Sequence, residues 1–299
     1  MQRRRFLYMI AFVMIVLVAG SILFWQLNRP SQPSKTTFDG ERAYRDVLVQ
    51  MEFGPRITGT EGNRRCADYI AEQLTQAGWS VEFQNFTYQA VQARNVIGRA
   101  NVGKGPVIIL GAHYDTRRWA DQDPVHPRDP VPGADDGASG VAVLLELARV
   151  VNLGEVHHEI WLAFFDAEDD GYINGWDWLV GSTYMANHLS VQPQAMILVD
   201  MVGDTNQDIY LDGNSDPALS QRVWKIAAQL GYADHFIPQV KYTMIDDHIP
   251  FAQRGISSVD IIDFDYPYWH TVADTADKVS SDSLERVGQT LQVLLETME

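Results

Sequence analysis

Five side chains of the kinds that bind divalent metals lie far apart in the sequence, each after an apolar run or at a glycine-rich turn. His113 closes PVIILGAHYD, Asp135 opens the acid pair of GADDGASG, Asp169 lies in FFDAED, Asp200 closes AMILVD, and His270 sits in YWHT. Imidazole nitrogen and carboxylate oxygen are the natural donors to zinc, whereas calcium would want more oxygen and no imidazole. Two zinc ions would need about five such donors, with one carboxylate shared. Asp115, two residues after His113, is a carboxylate able to accept from that imidazole and fix its tautomer. Any one of these motifs alone reads as a turn, a helix cap or a packed histidine. In the order H, DD, ED, D, H they read as one site. His126, His157, His158, His188 and His235 have no such setting and are assigned to loops and surface, and Asp123, Asp129 and Asp177 are read as ordinary turn or cap acids.

The elements that must carry these residues follow from the hydropathy pattern. PVIILGAHYD, EIWLAFFDAED and AMILVDMVGD are apolar runs ending in polar residues, and Ser258 to Ile262 is a weaker fourth. Between them lie SGVAVLLELARVV, read as an amphipathic helix, and a helix over Asp216 to Leu230. Helices are also expected over Arg42 to Met51 and over Glu61 to Ala77, ending at Gly78, and strands over Val81 to Tyr88 and Arg94 to Ala100. Apolar strands alternating with helices predict a single α/β domain with a mainly parallel, mixed sheet sandwiched by helices. Sites in such sheets form at the carboxyl ends of the strands, where His113, Asp166 to Asp170 and Asp200 fall.

The bulk composition narrows the function. The formal charge of −16 removes nucleic acid as a partner, since that needs a basic face. The single cysteine, Cys66, excludes an intrachain disulfide and a cysteine zinc cluster, and its helical setting makes it a buried thiol. Residues 1–5 form a basic end expected in the cytoplasm. Phe6 to Leu27 carry no charge and are long enough to span a bilayer, and 28–37 form a polar, proline-rich linker. The expectation is a single-pass protein with residues 38–299 as an extracytoplasmic catalytic domain, anchored rather than released by signal cleavage.

HYD at 113–115, PGADDGASG at 132–140, FFDAED at 164–169, the Asp200 strand end and WHT at 269–271, with GPRITGTEG at 54–62, resemble the zinc aminopeptidase and glutaminyl cyclase superfamily over nearly all of the chain after the linker. The resemblance implies that His113 and Asp169 hold one zinc, Asp200 and His270 a second, and Asp135 bridges them, with Glu168 as general base. In the cyclase branch it implies one zinc, on Asp135, Asp169 and His270. DDHIPF at 246–251, YWHT at 268–271 and the segment carrying Trp176 and Trp178 resemble glutaminyl cyclases; ADDGASG is nearer the aminopeptidase form, and Asp169 stands where animal cyclases keep Glu. The activity implied first is conversion of an N-terminal glutamine of peptides or proteins to pyroglutamate. Asp246 and Asp200 would then hydrogen-bond around Glu168, and Trp269 and Trp176 would wall the pocket, while Trp161 and Trp224 pack in the core. The alternative is an aminopeptidase with two zincs. A non-catalytic ectodomain would have lost ligands or the base, yet every expected position is filled.

Overall fold

The computed structural model describes residues 37–298. The expected anchor at 6–27 and the linker up to residue 36 lie outside the described residues. Among those described, no helix is long and apolar enough to cross a membrane.

The chain opens with helices α1 (Gly40–Glu52) and α2 (Glu61–Gln76). Both begin where a side chain satisfies the free amides of a first turn: Asp39 accepts from Arg42 N–H, and Thr60 from Asn63 N–H. Strands β1 (Ser80–Tyr88) and β2 (Val91–Ala100) form an antiparallel pair, and β2 runs antiparallel to β4 (Glu159–Phe165). From β4 the sheet is parallel through β3 (Val107–His113), β5 (Ala195–Asp200) and β8 (Ser257–Ile262), giving the order β1-β2-β4-β3-β5-β8. Every residue of β3 and β5 is buried, as expected of parallel strands covered on both faces.

Alternation along the strands divides the core. Ile108 and Leu110 of β3 face one way, into a cluster with α1, α2, α3 (Ala138–Val150) and α7 (Ser281–Thr297). Ile109 faces the other way, with Trp161 and Phe165 of β4, Met185 of α4 (Val180–Asn187) and Phe251 of α6 (Ile249–Ala252). Each fully buried large side chain contributes about 1.5–3 kcal/mol. The helix α3, expected to be amphipathic, is instead buried almost all round, Glu146 included. Arg42 offsets that carboxylate, with Nε 2.6 Å from Oε2, so this acid serves helix packing rather than solvent contact.

Sequence reading missed the parallel pair β6 (Ile209–Asp212) and β7 (Phe236–Tyr242), which α5 (Pro217–Gln229) packs against, as well as α4 and α7. Strand β7 contains a proline and is mostly exposed, so it carries neither an apolar run nor clean alternation. A hollow of about 700 Å³ lies here, walled by Trp224, Phe236, Pro238 and Val240. It is larger than the cleft described next, but its lining has no histidine and one acid, Asp212.

Candidate metal centre

The parallel pairing of β3 with β5 sets their carboxyl ends side by side, so His113 Nε2 lies 3.1 Å from Asp200 Oδ1. The turn before α3 brings Asp136 Oδ1 to 3.1 Å from the same nitrogen. The loop after β4 carries Asp169, and the loop after β8 carries His270, whose Nε2 is 3.0 Å from Asp169 Oδ1 and 3.7 Å from Asp136 Oδ2. Two triads result, His113–Asp136–Asp200 and Asp136–Asp169–His270, each with its donor atoms within 4.8 Å of one another. Asp136 turns one oxygen to each imidazole, which is the arrangement of a bridging carboxylate.

This corrects two expectations. The shared acid is Asp136, not Asp135. Asp135 is fully buried but points away, its Oδ1 accepting from Gly203 N–H at 2.7 Å, because adjacent residues at a turn project in different directions. The residues also pair differently: His113 goes with Asp200, as the β3–β5 pairing dictates, and Asp169 with His270, which the loop after β8 brings back across the sheet end. His113, Asp169, Asp200 and His270 are all brought together as expected.

The surroundings brace the donors. Asp115 accepts from the backbone N–H of Glu168 at 3.1 Å and of Asp169 at 3.2 Å, fixing that loop; its distance of 3.6 Å to His113 Nδ1 is too long for the hydrogen bond expected there. Asp274 accepts from the N–H groups of Asp135 at 2.8 Å and Asp136 at 3.2 Å, tying the His270 loop to the acidic turn. The fully buried Arg56 of GPRITGTEG donates to the carbonyls of Tyr114, Pro132 and Gly133, which lead into that turn. Left-handed non-glycine backbone occurs at or next to the donors and Glu168, at Ala167 (φ 60°), Met201 (φ 43°) and His270 (φ 55°). Each costs of order 1–3 kcal/mol and persists because its neighbours hold it.

The residues fit zinc. Asp136 Oδ2 and Asp169 Oδ2 are buried with no hydrogen-bond partner, a costly arrangement that a divalent cation would relieve. Burial pushes the Glu168 carboxyl well above the usual range; the His113 imidazole opposes this, and Asp169, Asp247 and Asp246 add to it. Burial and then Asp136 raise Asp169 to about 7. Burial lowers His270, but Asp169 and Asp121 overcome it and hold the imidazole at about 9. Two imidazoles among carboxylates are a donor set characteristic of zinc.

Above the triads lies a cleft of about 320 Å³, lined by Glu168, Asp246, Tyr172, Trp178, Phe264 and Trp269 among others. Trp269 stacks on His270 with ring centres 3.8 Å apart, and Trp178 lies parallel to the same ring at 6.0 Å. Trp178 therefore takes the position expected of Trp176, which is buried instead against Tyr88 in a separate cluster with Phe86. Trp161 and Trp224 are core residues, as expected. Cys66 is buried, and burial pushes its thiol up to about 12. The other histidines stay outside the site. His158, placed on the surface by sequence reading, is buried and faces Gln194 at the opposite end of β4. Asp123 is a turn acid, as expected: its Oδ1 accepts from Val125 and His126 N–H and its Oδ2 from Val272 N–H.

The sequence model of peptidase family M28 matches residues 95–295. A leucine aminopeptidase precursor from Bacteroides thetaiotaomicron is 35% identical, with a TM-score of 0.84 over 89% of this chain and 99% of that one. A glutaminyl cyclase from the same organism, bound to N-acetylhistamine, is 34% identical, with a TM-score of 0.83 over 89% of this chain and all of that one, 100%. The glutaminyl-peptide cyclotransferase of Drosophila melanogaster is 25% identical over 77% of this chain and 74% of its own length.

Proposed function

Since the chain belongs to peptidase family M28, we propose that it is a zinc-dependent glutaminyl-peptide cyclotransferase, converting the N-terminal glutamine of peptides to pyroglutamate with release of ammonia. The observation that carries this reading is the aromatic enclosure of His270 by Trp269 and Trp178 beside the buried Glu168. The likeness to glutaminyl cyclases supports it.

Asp136, Asp169 and His270 would hold the zinc, which when bound supplies a Lewis acid to polarise the glutamine γ-carbonyl. The side chains around it do the rest. Trp178 and Trp269 confine the glutamine side chain to a rotamer that brings its α-amine onto its own γ-carbon, so proximity is internal to the substrate. Glu168 takes the proton released as the new C–N bond forms and gives it to the departing ammonia. A carboxyl raised by burial is suited to carrying a proton in both directions. Asp246 and Asp200 line the cleft with it. The indole walls exclude water, whose attack would yield glutamate instead.

A second reading, a zinc aminopeptidase using two metals, is favoured by one observation: the two triads share Asp136. Mass analysis of peptides incubated with the full-length protein and zinc separates the two. Loss of ammonia from a Gln-initiated peptide is the expected result. Release of leucine from a Leu-initiated peptide without any cyclisation would overturn the cyclase reading. We further propose that residues 6–27 anchor the chain and that the catalytic part faces away from the cytoplasm; protection of that part from protease added outside intact cells would refute this.

A further inference from the structure

The two imidazoles of the centre are held differently. His113 Nδ1 has no hydrogen-bond partner. His270 Nδ1 faces Asp121 Oδ1 at 3.4 Å. Asp121 does not hang free in its loop. Arg117 clamps it fork on fork, Nε donating to Oδ1 at 2.9 Å and Nη2 to Oδ2 at 2.7 Å. The same buried guanidinium donates from Nη1 to the carbonyl of Asp169 at 2.6 Å and lies 4.7 Å from the Trp178 ring centre. One arginine thus touches the acid beside His270, the backbone of the neighbouring ligand and the indole parallel to the imidazole. The backbones agree: Gln122 N–H donates to the His270 carbonyl at 3.2 Å, and Val272 N–H to Asp123 Oδ2 at 3.2 Å. The loop after β3 and the loop after β8 are therefore joined on both sides of the imidazole.

We propose that Asp121, held by Arg117, is the positioning carboxylate for His270, receiving its Nδ1–H so that Nε2 presents its lone pair between Asp136 and Asp169. This rests on the reading of His270 as a metal ligand. A ligating imidazole commonly donates its other N–H to a carboxylate, which fixes the tautomer and ring plane, and loss of that partner weakens metal binding about 10–100-fold. Asp121 acts only through His270 and touches no substrate.

The test is zinc competition against a chromogenic chelator, using the full chain and three variants. Asp121→Ala is expected to weaken the tightest zinc binding about 10–100-fold. Asp121→Asn, whose amide oxygen still accepts the same N–H although its NH2 group cannot accept from Arg117, is expected to lose clearly less affinity than Asp121→Ala. Asp129→Ala, an exposed acid of the same loop, is expected to change nothing. The zinc-free melting temperature of Asp121→Ala should fall no further than that of Asp121→Asn, since both lose part of the Arg117 clamp, and its zinc-loaded form should lose a slowly exchanging imidazole N–H signal seen in the parent. Parental affinity in Asp121→Ala would overturn the proposal. So would an equal loss in the Ala and Asn variants with lowered zinc-free melting, which would make Asp121 a brace for its loop. A parent protein that binds no zinc would instead overturn the metal-centre reading beneath it.

Discussion

Gly137 follows Asp136, the acid shared by the two triads, and opens α3 with φ of +96°. A methyl group there would lie 2.8 Å from the Asp115 carbonyl oxygen, 3.1 Å from His113 Cε1 and 3.4 Å from His113 Nδ1. Unstrained carbon contacts lie at about 3.5–4.0 Å. Neither neighbour can retreat easily: one is backbone, and the other is held between Asp136 and Asp200. The backbone conformation costs an alanine about 1–3 kcal/mol, and the forced contact about 1–3 kcal/mol more. Gly137→Ala should therefore lose roughly 2–6 kcal/mol of stability, the sum of those two ranges. Gly103→Ala isolates the first contribution, since Gly103 has φ of +77° and nothing within 4 Å of its would-be Cβ. Urea unfolding of both variants in zinc-free buffer gives the comparison. The excess loss in Gly137→Ala should be about 1–3 kcal/mol, accompanied by weaker zinc binding. Equal losses in the two variants would refute the packing of this turn against His113.

Glu168→Gln should lower turnover about 10²–10⁴-fold while zinc content by elemental analysis stays that of the parent; an active variant would remove Glu168 from the base role. Stripping zinc should lower the melting temperature: free zinc at 1,000 times its dissociation constant adds about 4 kcal/mol, worth roughly 8–16 °C in a body of this size. A melt unchanged by chelator would count against a resident metal. His158 is buried and its imidazole lies below the ordinary value of 6.5, chiefly because burial disfavours the charged form. The unfolded chain therefore binds the proton more readily, and stability falls as pH drops through about 6.5. Replacing His158 with Gln should flatten that part of the urea-midpoint profile, and an unaltered profile would show that the site is not a source of acid sensitivity.

How much of this was legible in the sequence depended on whether the cause was local. The buried strands announce themselves as apolar runs, and Asp39, Thr60 and Asp216 mark helix starts by capping them. His113, Asp169 and Asp200 stood out by their strand-end positions, and His270 only by its place in the ordered set of motifs. Their pairing did not, because it depends on β3 lying between β4 and β5, which no local pattern encodes. The choice between Asp135 and Asp136 turns on the direction of two adjacent side chains at a glycine turn. Trp176 and Trp178 lie in an irregular segment where Tyr172 and Asn174 are left-handed, so periodicity could not say which indole faces the cleft. Helix α7 was missed although its signal is local: Leu284, Val287, Leu291 and Leu294 repeat at helical spacing and are all buried. Asp121 carries no motif, and only the folded loops bring it to His270.

The carboxylate of Asp274 reaches the backbone of Asp135 across 139 residues of chain. As the polypeptide is made, three of the five donors and the bridging turn emerge well before the loop that carries His270. Parallel strands pair slowly, since the connecting chain must first be closed into a loop. A nascent or truncated chain lacking the segment after β8 therefore holds an acidic half-pocket with one imidazole and nothing to anchor the Asp135–Asp136 turn. A metal ion held jointly by Asp136, Asp169 and His270 would therefore require the loop after β8 to have docked on the acidic turn.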